Sequence, residues 1–193
     1  MPGVEVKGAF VAAYSATLKK LGLLGDVLER ASPELRDALH RPPPASAWID
    51  YGVIVEIYAI VQALRGKNMV RRIGHEATLA GIAPFMQAFV QGLLRLFGVS
   101  PATLLANMHR LSSQTTRGGT FVWTPTSKLS GVMTMEVPRL RGINPALWHA
   151  SAGGLEVVFD ACGVDGTIQE PVVKEDDSGT TVEFRVSWRP KQS

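Results

Sequence analysis

The spacing of apolar residues along this chain changes period once, near Gly118, and that change limits the fold more than any single motif does. Before it, apolar side chains recur every three to four residues, as one face of a helix requires. After it they alternate, as the two faces of a strand require. The order is several helices followed by strand-strand-helix-strand-strand. Paired strands around one helix call for an antiparallel sheet, so the expected class is α+β: an N-terminal helical layer packed on a C-terminal four-stranded antiparallel sheet (β-β-α-β-β). At 193 residues this fits one domain, with residues 1–117 mainly helical and 118–193 forming the sheet part.

Local signals place the elements. Phe10 to Leu21 and Leu23 to Arg30 read as short helices punctuated by Gly22 and Gly25. Ser32 is an expected N-cap, with Pro33 in the first turn and Glu34 near the positive end of the dipole. The run RPPPAS at 41–46 then stops helical growth. Trp48 to Arg65 is the most apolar helical stretch, charged only at Asp50 and Glu56 before Arg65. Lys67 to Ile82 continues in helical spacing, Pro84 restarts it, and Phe85 to Phe97 is again almost wholly apolar. Ser100-Pro101 opens a further helix, to about Leu111. Beyond Gly118, Thr120–Pro125 and Leu129–Val137 form one strand pair, and Thr167–Lys174 with Thr180–Trp188 the other, turning at EDDSG. Between the pairs, Asn144-Pro145 starts a helical stretch that ends at Gly163, with Gly153-Gly154 expected to break it in two.

Composition removes several classes of function. Hydrophobic residues make up 46% and charged residues 19%, too apolar for disorder. A single cysteine cannot form an internal disulfide, which suits a reducing compartment. The N-terminus shows no charged region followed by an apolar one, so the expectation is a cytoplasmic protein. The net charge of +3 is small and contains no run of like charges suited to nucleic acid. Acids interrupt 48–64, while Pro84 and two glutamines interrupt 79–94, which argues against a membrane span. Apolar helices too numerous for one small sheet to cover suggest a homodimer.

Reactive side chains gather only in PALWHASAGGLEVVFDACGVDG, residues 145–166. On a continuous helix His149 and Cys162 would stand roughly 20 Å apart. The HASAG segment lacks the strand that a nucleophile elbow needs, and its first glycine is replaced by His149. The four histidines are scattered, with no metal-ligand spacing, and no phosphate-cradling glycine loop occurs. No catalytic residue, metal site or cofactor is therefore assigned, and an enzyme is not expected.

Longer segments carry a family resemblance. RRIGHEATLAGIAPFMQAFVQGLLRLFGVSP leads into GTFVW and GVMTMEV; AGGLEVVFDACGVDGT then precedes VEFRVSW. Over residues 45–189 this resembles an uncharacterised paralogous family expanded in myxobacteria. That family is similar to the superfamily of haem-NO-binding (H-NOX) domains, four-vinyl-reductase domains and transport-particle (TRAPP) subunits. The resemblance implies helices on an antiparallel sheet, frequently a dimer, with a small-molecule pocket or a protein-docking surface. It hands over no site. The Tyr-x-Ser-x-Arg motif of the haem-binding members begins at none of Tyr14, Tyr51 or Tyr58, and Cys162 stands alone where the reductase-like members carry paired cysteines.

The expected function is a non-enzymatic sensor that binds a small, largely apolar ligand and signals through protein contacts; the alternative is a dimeric scaffold or adaptor with no ligand. Tyr58, Phe85, Met86, Phe89 and Trp123 are the expected apolar lining. Arg71 and Arg72 are expected at the mouth, where they could meet a carboxylate or phosphate on the ligand.

Overall fold

Two antiparallel sheets and a helical layer share one hydrophobic core, in a computed structural model that describes residues 3–81, 100–138, 144–177 and 179–191. The smaller sheet joins three distant segments. Strand β1 (Glu5–Lys7) lies between β2 (Trp48–Asp50) and β3 (Thr116–Arg117). Trp48–Asp50 is thus extended, where the apolar spacing predicted helix. Pairing with β1 claims these residues, and the Gly52 amide donates to the Asp50 carboxylate at 2.6 Å in a turn that delays the helix. The Trp48 ring lies between Lys7 Nζ at 4.0 Å and the Arg117 guanidinium at 3.8 Å.

The helical layer begins with α1 (Gly8–Lys20), α2 (Leu24–Arg30) and α3 (Pro33–His40). Ser32 caps α3 as its sequence suggests: its hydroxyl accepts from the Leu35 amide at 3.1 Å. Helix α4 (Gly52–Arg65) supplies a second layer to this cap. The Ser32 amide and hydroxyl both donate to the Glu56 carboxylate, at 2.7 and 2.9 Å. An acid in an otherwise apolar helix is thereby explained as a tie to α3. Ile54, Ile57, Tyr58 and Val61 of α4 are buried within this one chain, so much of the apolar surface that suggested a dimer is covered by the chain itself. Gly66, at φ 76°, turns the chain directly into α5, helical over residues 67–81. After residues 82–99, Ser100 caps α6 (Pro101–Ala106) through the Thr103 amide, and α7 (Met108–Ser112) follows.

The larger sheet contains β4 (Thr120–Ser127), β5 (Ser130–Pro138), β6 (Val164–Ile168), β7 (Val172–Glu175) and β8 (Gly179–Pro190), all antiparallel. It is four strands wide, because β6 and β7 occupy successive parts of one edge of β8 while β5 takes the other. Thr167–Lys174, expected as one strand, is therefore two. Pro171 has no amide to give to the ladder, and the strand breaks around it. Met133, Met135, Phe184 and Val186 face inward from the two central strands.

Helix α8 (Ala146–Cys162) covers that inner face without interruption. The expected break at Gly153-Gly154 does not occur; the glycines serve contact with α5 instead. A methyl group at Gly153 would overlap the Arg71 carbonyl, and one at Gly74 would overlap the Ala150 carbonyl. The helix cost of glycine, about 1 kcal/mol each, is offset by packing that only a missing Cβ permits. Gly163 closes α8 in the left-handed conformation at φ 62°.

Candidate functional site

A cavity of about 360 Å³ lies between α1, α4, α8 and the start of β4, with α6 and α7 along one side. Its shape follows from side-chain size. On α8 the residues facing it include Ala150, Ser151, Gly154 and Ala161, whose small side chains leave space, with Leu155 and Val158 as apolar wall. Phe10 and Tyr14, one helical turn apart on α1, face the same space. Tyr51 and Tyr58 add two turns of α4 and its approach, and Phe121 closes the β4 side.

All three tyrosines of the chain meet here. The Tyr14 and Tyr58 hydroxyls hydrogen-bond to each other, and their rings pack edge to face with centroids 5.5 Å apart at 70°. Tyr51 lines the same wall beside them. Burial raises the pKa of each phenol, and neighbouring phenols raise those of Tyr14 and Tyr58 further. The wall therefore presents neutral hydroxyls in an apolar frame.

The other reactive side chains serve packing. Burial pushes the Cys162 thiol up to about 11, so it stays protonated and inert. His149 is held below the ordinary histidine value by burial, against an opposing pull from Glu170 at 3.7 Å. On continuous α8 the two residues sit near opposite ends. Among the described residues there is no group of three or more His, Cys, Asp or Glu suited to a metal ion. No helix among them is long and apolar enough to cross a membrane.

Of the residues singled out from sequence, Tyr58 lines the cavity. Trp123 faces inward two residues beyond Phe121, but packs on the Trp188 ring at 6.1 Å and over Gly131, away from the described lining. Arg71 is engaged elsewhere: Nε and Nη2 donate to Glu156 Oε1 at 3.0 and 2.6 Å, and Nη2 also donates to the Ile168 carbonyl at 2.8 Å. Arg72 is exposed, and neither arginine lines the cavity. Phe85, Met86 and Phe89 lie outside the described residues. Tyr14, Tyr51 and Phe121 were not singled out. The signal for Tyr14 was present in the Phe10/Tyr14 spacing on one helical face.

Solved structures share this architecture. An oxygen-binding H-NOX domain related to soluble guanylate cyclases is 17% identical; the match covers 97% of this chain and 100% of that one, with a TM-score of 0.65. A doubly substituted Tt H-NOX is also 17% identical over 97% of each chain, with a TM-score of 0.67. An Fe(II) unliganded H-NOX variant from K. algicida is 12% identical over 96% and 97%, at 0.64. The fold is that of H-NOX domains. No protein-family model matches the chain, and none of the curated proteins is significantly similar to it in sequence.

Some of these neighbours are described by their haem, so the cavity must be tested for that group. Haem iron takes an axial His, Cys, Met or Tyr. No His or Cys is among the described lining residues, and residues 82–99 and 139–143 contain neither type. His75 is bound to Asp160 at 2.7 Å, His149 pairs with Glu170, and His40 and His109 are exposed. The Tyr14 and Tyr58 hydroxyls bond to each other, and the raised pKa values of the phenols oppose the phenolate an iron would need. Met108 supplies a thioether without a histidine to complement it in the lining. Among the described residues, the lining does not fit a haem iron.

Proposed function

We propose that this chain is a non-enzymatic sensor, working as one domain over residues 1–193, that binds a small, largely apolar ligand and signals its occupancy through protein contacts. The observation that carries this reading is the cavity itself. Its volume of about 360 Å³ falls in the roughly 300–1,000 Å³ range of small-molecule sites, and apolar walls with a few placed polar groups are their usual make-up. A core designed only for stability would fill such a space, since unfilled volume costs about 24 cal/mol per Å³. The cavity also touches α1, α8 and β4 together, so an occupant bears on both the helical layer and the sheet. The H-NOX fold is consistent with ligand sensing, with a ligand other than haem.

Native mass spectrometry of the purified chain, followed by solvent extraction, tests this. The expected spectrum contains an adduct that organic solvent removes and that thermally stabilises the protein when returned. A bare mass throughout, with no stabilisation by any extracted or added apolar compound, would leave an adaptor without a ligand.

A further inference from the structure

We propose that the three tyrosine hydroxyls select a neutral, mostly hydrocarbon ligand bearing a carbonyl or hydroxyl oxygen. This rests on the cavity being a ligand site and names the class of ligand it takes. The Tyr14 and Tyr58 hydroxyls share one hydrogen bond at the cavity wall, and Tyr51 lines the same wall. Each hydroxyl carries one proton, and the shared bond consumes one of the pair's two. One O–H is left over at the cavity wall, where a ligand oxygen would accept it.

Charge decides against an anion at this end. Among the described residues, no Lys, Arg or His contributes to the raised pKa values of the phenols, which follow from burial and from one another. A carboxylate placed there would lose its water without meeting a counter-charge, which is far more costly than burying a ketone or alcohol. Arg110 also lines the cavity, from α7, and has an interaction of its own. Around the hydroxyls the walls are hydrocarbon: Phe10, Leu104, Phe121, Leu155 and Val158. Such walls take the body of the ligand, and the tyrosine hydroxyls take its oxygen.

The test uses three probes of similar shape: acetophenone, ethylbenzene and benzoate, titrated by calorimetry into the full chain at neutral pH. Acetophenone is expected to bind at least about tenfold more tightly than benzoate. Replacing all three tyrosines by phenylalanine removes donors and acceptors together, so no buried hydroxyl is orphaned. That variant should bind acetophenone about five- to tenfold more weakly while ethylbenzene binds as before or better. In the native chain, the infrared carbonyl stretch of bound acetophenone should fall below its value in hydrocarbon solvent, a readout independent of any variant. Benzoate binding equal to acetophenone, or an unshifted carbonyl stretch, overturns the tyrosine selection while leaving the cavity as a ligand site. Failure of both neutral probes to bind overturns the cavity reading with it.

Discussion

The Tyr14 hydroxyl on α1 is hydrogen-bonded to the Tyr58 hydroxyl on α4, with both rings buried beside the cavity. Either single change to phenylalanine leaves the partner hydroxyl with an unmet bond in an apolar setting. Tyr58→Phe is expected to destabilise by about 1–3 kcal/mol, and the double change with Tyr14→Phe by less than the sum of the singles. Urea denaturation of the four proteins gives the coupling directly.

The same phenols set the alkaline limit of the fold. Their folded pKa values are raised above the ordinary 10.0, so the unfolded chain releases these protons first as pH rises. Their contribution is complete below pH 10.0 and is lost progressively as pH climbs through and beyond it. Circular dichroism over the alkaline range should show the native chain unfolding more steeply than the triple phenylalanine variant. Equal steepness would mean the phenols ionise freely in the fold.

The crossing of α5 and α8 predicts opposite signs for two glycine-to-alanine changes. Gly74→Ala drives a methyl group into the Ala150 carbonyl and should cost about 1–3 kcal/mol or more. Gly25→Ala on α2 meets open space and should stabilise by about 0.5–1 kcal/mol through helix propensity. Thermal melts of both variants settle the pair.

Neighbouring arginines should also differ. Arg71, half-buried on Glu156 and the Ile168 carbonyl, should cost about 1–3 kcal/mol when cut to alanine, because a carboxylate and a backbone carbonyl lose their donor. Arg72→Ala should stay within about 0.5 kcal/mol. Neither change should alter the affinity of a neutral cavity ligand, since neither side chain lines the cavity.

What could be read from sequence was local or periodic. The caps at Ser32 and Ser100 involve an amide three residues away, so the signal and the bond share one short stretch. Alternation in β5 and β8 marked them as strands because strand geometry enforces a period of two. What could not be read depended on distant partners. Trp48–Asp50 is extended because β1 pairs with it, and the apolar spacing of 48–65 cannot show that. Gly153-Gly154 looked like a helix break because the helix penalty of glycine is local, whereas the Arg71 backbone that needs the space comes from α5. Arg71 looked free for a ligand because Glu156 lies 85 residues away. Phe121 and Trp123 share one face of β4, and only the docking of α8 and Trp188 decides which one borders the cavity.

The central claim is that the space beside the tyrosines holds a small molecule, and filling that space is its most direct test. Ser151 lies on the cavity wall of α8 with its side chain partly accessible. Native mass spectra of the wild type and of Ser151→Trp, purified identically and confirmed folded by circular dichroism, should be measured side by side. The account predicts an extractable adduct on the wild type and little or none on the variant. An adduct of equal occupancy on both, or on neither even after incubation with acetophenone, would contradict it.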